Sequence, residues 1–304
     1  MPQSPAGVLP VLAMPFTDDG EMDLAALAGE IEWVLAQRVD GVVLGMVSEV
    51  LRLSSEERDL ATERTCAVVA GRATVTASVG AESLHTAVRH ARRAEASGAD
   101  AVMAIPPLGT ACDDGELLRY YSGIFDAIGI PVVVQDASGY VGRPLSIEVQ
   151  ATLLREYGDR ALFKPEAQPI GPRLSALRDA TGGAARVYEG SGGLALVDSF
   201  ARGVVGTMPG PDVCWALVAL WRALQAGDQA TVDAINGPLT ALVSIQSTLD
   251  SFVAVQKHLL RRQGALTDAR SRGPVGFILD PETEREVDRR FDLLAAAVNA
   301  EVTA

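Results

Sequence analysis

Eight short runs rich in Val, Ile, Leu and Ala recur at spaced intervals. They are VLPVLAMP (8–15), GVVLGM (41–46), ATVTASVG (73–80), AVMAIPP (101–107), PVVVQD (131–136), ALFKPE (161–166), ARVYEG (185–190) and GVVGTMPG (203–210). None alternates apolar with polar residues throughout, which is how strands covered on both faces read, so they imply a parallel sheet. The segments between them carry helical spacing. Ser54-Ser55-Glu56-Glu57 opens one helix in the manner of a capping box, and Ser83 opens another. Helical patterns at 24–38, 116–128, 147–157 and 174–181 fill other gaps. Strand-then-helix units repeated eight times predict an α/β fold, the (β/α)8 TIM barrel. Residues 1–211 hold the barrel up to its eighth strand. Residues 212–304 supply the last barrel helix and a C-terminal helical extension within the same unit, helical at 212–262 and 281–302 with a Gly/Arg-rich loop at 269–276. Those additional C-terminal helices either cap the barrel or form an oligomer contact.

A doubly wound open sheet is the structural rival, but it usually places a phosphate-binding glycine pattern after its first strand. The corresponding turn here reads MPFTDDGEMD, and neither GxGxxG nor GxxxxGK[ST] occurs. A nucleotide cofactor is therefore not expected. The net charge of -13 opposes nucleic acid or an anionic membrane as partner, because both require a basic face. Cys66, Cys112 and Cys214 are odd in number and form no CxxC pair, which argues against a disulfide framework or a zinc site and for a reducing cytoplasm. The opening MPQSPAG has no basic segment followed by an apolar one, and no apolar run approaches a membrane span, so a soluble cytoplasmic protein is expected.

In a barrel, chemistry sits at the C-terminal ends of the strands and in the loops that follow. Those positions hold Ser48 and Glu49 after strand 2, Gln135 and Asp136 on strand 5, Lys164 and Glu166 on strand 6, Glu189 on strand 7 and Thr207 on strand 8. His85, His90 and His258 all fall in helical patterns, which leaves the usual neutral-pH base and metal ligand out of the mouth. No metal or other cofactor is expected.

Lys164 stands out because Lys164 and Lys257 are the only lysines among 26 cationic residues. A lysine can lose its proton and attack a ketone to give a Schiff base, which arginine cannot do. Apolar surroundings favour the neutral amine. The competing reading is an ion pair of Lys164 with Glu166 or Glu189 that satisfies the mouth. Glu166 follows Lys164 by two residues, so on a strand both side chains share one side, where a carboxylate can move a proton beside an imine. Glu49 and Glu189 are either substrate contacts or partners of mouth donors. Gly190-Ser191-Gly192-Gly193 either binds a substrate carboxylate through its amides or forms a tight turn.

With a lysine on the sixth strand, the chain resembles the dihydrodipicolinate synthase/N-acetylneuraminate lyase family of class I aldolases over nearly its whole length. The resemblance is carried by VLPVLAMPFTDDGEMD, GVVLGMVSEVLRLSSEER, the strand-4 end IPP, and GVVGTMPG. It implies a Schiff base between Lys164 and a 2-keto acid, and a homo-oligomer, tetramer or dimer. Where the synthases and lyases carry Gly-Thr-Thr-Gly-Glu, this chain has Gly45-Met46-Val47-Ser48-Glu49. The family's strand-5 tyrosine aligns with Gln135, its paired tyrosines with Leu108 and Gly109, and an arginine of some members with the region of Tyr140. The chain is more similar to the L-2-keto-3-deoxyarabonate dehydratase subgroup at Ser48-Glu49, VQDA (134–137), Phe163-Lys164-x-Glu166, Glu189-Gly190 and GTM (206–208). Pro165, Ser138-Gly139 and the GSGG loop depart from that subgroup.

The resemblance implies dehydration of a 2-keto-3-deoxy sugar acid, with Lys164 and Glu166 catalytic. Ser48, Glu49, Gln135, Asp136, Glu189, Gly190, Ser191 and Thr207 are the expected substrate-binding set. A pyruvate-dependent aldolase and a keto-acid-binding barrel without chemistry are the alternatives.

Overall fold

A computed structural model describes residues 5–302; the outermost residues of the two expected segments, 1–4 and 303–304, lie outside it. Strands and helices follow in strict alternation: β1 (Gly7–Val8), α1 (Leu24–Ala36), β2 (Gly41–Val43), α2 (Ser55–Val69), β3 (Thr74–Ser78), α3 (Leu84–Ala96), β4 (Ala101–Ala104) and α4 (Asp114–Ala127). The second half continues with β5 (Val132–Asp136), α5 (Ile147–Tyr157), β6 (Ala161–Pro165), α6 (Ile170–Ala180), β7 (Arg186–Glu189), α7 (Leu196–Ala201), β8 (Gly206–Thr207) and α8 (Cys214–Ala226). Three further helices, α9 (Gln229–Val243), α10 (Leu249–Arg262) and α11 (Pro281–Val302), complete the chain.

All neighbouring strands pair in parallel, in the order β1-β8-β7-β6-β5-β4-β3-β2. A parallel bridge between Val11 and Val43 closes the ring, with Leu12 N donating to Val43 O at 2.9 Å. This is the expected (β/α)8 barrel. The first run, read as a strand over 8–15, keeps only two ladder residues plus that bridge. Pro10 and Pro15 have no amide proton to give a ladder, which cuts the strand short.

The two-residue period of the strands sorts their side chains. Leu9, Val11, Val43, Met103, Val133, Leu162, Tyr188 and Met208 fill the barrel interior as one cluster. Their neighbours Val102, Val134, Phe163 and Val187 belong to the larger core between barrel and helices. A residue two places after an interior one therefore points into the barrel mouth.

The helices start where their caps dictate. Ser54 accepts from Glu57 N while Glu57 reaches back to Ser54 N, and Ser83 accepts from Thr86 N. The helix expected at 174–181 begins earlier, at Ile170, directly after Pro169, whose fixed φ suits the start of a helix. Short α7, between β7 and β8, was not among the expected helices; at six residues it shows too little periodicity to register. The expected helical stretch 212–262 resolves into α8, α9 and α10, broken at Gly227-Asp228 and at 244–248. Among the described residues no helix is long and apolar enough to cross a membrane.

Candidate active site

Leu162 lies inside the barrel, so Lys164 and Glu166, two and four residues on, project into its mouth. The Lys164 Nζ is 3.1 Å from Glu166 Oε1, with both side chains buried. Gln135 follows interior Val133 in the same way, and its Nε2 donates to Glu166 Oε2 at 2.8 Å. Register pairs Gln135 with Lys164 across β5 and β6, which holds the three groups side by side. Burial pushes the Glu166 carboxyl above its ordinary range and Glu189 adds to this, while Lys164 and Gln135 pull it down. The carboxyl is thus held between the Lys164 Nζ and the Gln135 amide.

Gly190 follows interior Tyr188 and completes the wall. A Cβ there would stand 2.7 Å from Lys164 Cε and 2.8 Å from Glu166 Oε1, so a larger residue would push this pair off its present position. Tyr140, Met46, Val47, Met208, Leu249 and Phe252 line the remainder of the lysine pocket, with about 30 Å³ of free space at its centre. Tyr140 and Phe252 meet edge to face, with ring centroids 5.7 Å apart. Burial, with the carboxylates of Glu166 and Glu189, drives the Tyr140 phenol pKa upward and keeps it protonated.

The other expected contacts stand behind this front rank. Glu189 Oε2 accepts from Thr207 Oγ1 at 2.7 Å, and its Oε1 accepts from the amide and hydroxyl of Ser191. That set holds the turn after β7, and neither Glu189 nor Thr207 lines the pocket around Lys164. The Ser48 hydroxyl is fully buried; it donates to Leu12 O at 2.5 Å and accepts from Gly45 N at 3.0 Å. Asp136 accepts from Ser138 N and Leu145 N and lies 3.5 Å from Arg173, so it shapes the loop after β5.

Glu49, read from the sequence as either a substrate contact or a partner of mouth donors, adopts φ 54°, and its carboxylate turns toward α10. There it pairs with Lys257, lies 3.4 Å from Arg52 and accepts from Arg272 N at 3.0 Å. The left-handed backbone at Glu49 sets this direction. Lys257, the second lysine, is enclosed by that carboxylate, by Arg270 O at 2.6 Å and by the Phe16 ring at 4.8 Å. A compact ammonium fits where the planar fork of arginine would not.

Sequence reasoning passed over Tyr140, Leu249 and Phe252 as pocket residues. The last two come from α10, which no strand-end rule points to; a signal existed only at Tyr140, a lone aromatic in the polar stretch Ser138-Gly139-Tyr140. The histidines stay outside the mouth: His90 pairs with Asp59 and His258 with Asp288. A larger surface cavity of about 950 Å³ lies between the loops after β4 and β5, and neither Lys164 nor Glu166 lines it.

Fold and site together define a (β/α)8 barrel whose mouth holds a buried lysine on the sixth strand with a carboxylate against it. The chain belongs to the dihydrodipicolinate synthetase family, whose profile matches residues 4–290. It is 30% identical to an L-2-keto-3-deoxyarabonate dehydratase of Azospirillum brasilense, over 95% of each chain. It is also 30% identical to a 4-hydroxy-tetrahydrodipicolinate synthase of Bartonella quintana (strain Toulouse), over 78% of this chain and 81% of that one. The fold matches a dihydrodipicolinate synthase from Rhodopseudomonas palustris, at TM-score 0.85 and 24% identity over 95% of this chain and 97% of that one. It also matches YagE, a prophage protein from E. coli K12 in complex with pyruvate, at TM-score 0.86 and 20% identity over 95% and 98%.

Proposed function

We propose that the protein is a Schiff-base-forming lyase that dehydrates a 2-keto-3-deoxy sugar acid, such as L-2-keto-3-deoxyarabonate, to 2,5-dioxopentanoate. The observation that carries this reading is the buried Lys164–Glu166 pair, with Gln135 on the far carboxylate oxygen. Similarity to the Azospirillum brasilense dehydratase over 95% of each chain supports the substrate class.

In this reading Lys164, once neutral, attacks the C2 ketone and expels its oxygen as water, giving an imine that is protonated on nitrogen. That iminium withdraws electrons from the C3–H bond. Glu166 takes the C3 proton and the electron pair moves into an enamine. The enamine pair then returns through C3 and expels the C4 hydroxyl, which leaves as water after receiving the proton held by Glu166. A proton moves from C5 to C3, the C5 enol becomes the aldehyde, and hydrolysis frees Lys164. The balance is loss of one water from the sugar acid. Acid-base help of this kind contributes roughly 10²- to 10⁴-fold, and a carboxyl with a raised pKa suits both halves of the exchange.

Incubation with pyruvate and borohydride tests the covalent step. A stable adduct on Lys164, lost in Lys164→Arg, is expected; equal labelling of that variant would remove Lys164 from the mechanism, and no labelling of the native protein would favour a binding barrel without chemistry. Turnover of a 2-keto-3-deoxypentonate should yield 2,5-dioxopentanoate. Pyruvate plus an aldehyde would instead make the protein an aldolase.

A further inference from the structure

Beyond the lysine pocket, the mouth opens into a second compartment of about 300 Å³. Tyr140, Glu166, Gly190 and Phe252 line both spaces, so a molecule bonded at Lys164 can pass Glu166 and continue into the annexe. Its far wall comes from the turn between α9 and α10, with Gln246 and Ser247, and its rim carries Gln168 and Ser191.

Gln246 is 7% exposed. Its side-chain amide makes no hydrogen bond to another described residue and faces the annexe, where a ligand can meet it in place of water. The Ser247 hydroxyl and the Gln168 amide at the rim likewise make no hydrogen bond to another described residue. All of these groups are neutral donors and acceptors, the kind that pair with hydroxyls.

No lysine, arginine or histidine lines the annexe, and the one charged group facing it is the Glu166 carboxyl. Arg290 reaches Ser244 Oγ at 3.1 Å from α11, but it is paired with Glu286 at 2.6 Å and does not line the space. A carboxylate placed in the annexe would lose hydration, gain no counter-ion and face Glu166. A hydroxylated carbon meets none of these costs. The volume is on the order of ten times the ~30 Å³ share of one water, more than a single terminal hydroxymethyl group occupies.

We propose that this annexe is a subsite for the distal end of the substrate, and that it selects an uncharged, hydroxylated tail over a tail ending in a carboxylate, with room for at least one carbon beyond C5. The proposal rests on the Schiff-base reading, which sets C2 at Lys164 and so sends the tail past Glu166.

Two six-carbon 2-keto-3-deoxy acids that differ only at C6, hydroxymethyl against carboxylate, test it by calorimetric titration of the whole protein. The hydroxyl-ended acid should bind at least tenfold more tightly, and Gln246→Arg should narrow or invert that ratio. Equal affinities, tighter binding of the dicarboxylate, or a ratio that Gln246→Arg leaves untouched would overturn the subsite. Borohydride trapping with pyruvate reports on Lys164 alone and separates the two ideas. An adduct at Lys164 without discrimination sinks only the subsite, whereas a native protein that gives no adduct sinks the Schiff base and, with it, the placement of the tail in the annexe.

Discussion

Gly190 and Lys164 are in contact across the barrel mouth, so closely that a Cβ on the glycine would fall 2.7 Å from the lysine Cε and 2.9 Å from Glu166 Cγ. The glycine is thus part of how β7 makes room for the buried pair on β6. Gly190→Ala should slow formation of the pyruvate adduct at least tenfold, because the amine must move off the line that Glu166 and Gln135 define. Timed borohydride trapping reads this directly. An unchanged rate in a variant of native stability would mean that the lysine works from another position.

Glu166 is held by Lys164 on one oxygen and Gln135 on the other, and burial raises its pKa from the ordinary 4.5. As the base in the proposed reaction it must be ionised in the free enzyme. kcat/KM should therefore fall on the acid side along a limb whose midpoint lies above 4.5, since protonation persists to higher pH than for a free carboxylate. Glu166→Gln should remove that limb and lower kcat by about 10²- to 10⁴-fold while still trapping pyruvate at Lys164. Retention of full turnover by this variant would assign the C3 proton to another group.

How far this site could be foreseen follows from where its residues sit. Lys164, Glu166, Gln135 and Gly190 occupy strand ends at even spacing from interior residues, so a period of two places them in the mouth without coordinates. Ser191 was legible as a loop residue, although its work is to hold Glu189. Glu49 follows the same strand-end rule, which leaves open whether it meets substrate or a partner within the chain. Its orientation depends on a left-handed φ and on Lys257, a partner 208 residues away, and neither leaves a local trace. Phe252 and Gln246 belong to segments outside the strand repeat, and only the packing of α10 over the mouth brings them to Tyr140. The apolar runs that encode the barrel say nothing about that packing.

Two buried carboxyls away from the lysine should make stability fall with rising pH. Glu30 accepts one hydrogen bond, from Ala13 N at 2.7 Å, and its Oε2 has no partner among the described residues; burial lifts its pKa from 4.5 to about 8, opposed by that amide and by Lys257. Asp212, with Oδ2 unpartnered, is lifted by burial from 3.8 to about 7. Between the unfolded and folded values the folded chain binds more protons than the unfolded one. The contribution is therefore fully present below about pH 4 and is lost progressively as pH rises toward 7 for Asp212 and 8 for Glu30. Each group adds a slope of up to about 1.4 kcal/mol per pH unit within its window. Urea denaturation at pH 5 and pH 8 should show the loss, and Glu30→Gln and Asp212→Asn should each flatten it. Equal pH dependence in both variants and the native protein would place the linkage elsewhere.

The pair of Lys257 with Glu49 joins α10 to the loop after β2, and each of those segments supplies pocket wall: Leu249 and Phe252 from α10, Met46 and Val47 from the loop. Both side chains are fully buried, so removing Lys257 takes the nearest counter-charge from a carboxylate with little water around it. Lys257→Met should cost roughly 3 to 5 kcal/mol, the range for a broken buried pair. The double variant Glu49→Gln with Lys257→Met removes both charges and should recover part of that loss, since the larger cost lies in a buried carboxylate that has lost its nearest cation rather than in the missing attraction. Arg52 and Arg272 N remain beside Glu49 in the single variant and limit the damage. Denaturant midpoints of the native protein, both single variants and the double variant close the cycle. Because the same pair ties the two walls together, Lys257→Met should also raise KM for the sugar acid more than it lowers the rate of pyruvate trapping, which needs only β6 and its neighbours. A loss confined to trapping, with KM unchanged, would mean that the pair supports the lysine directly instead of the wall opposite it.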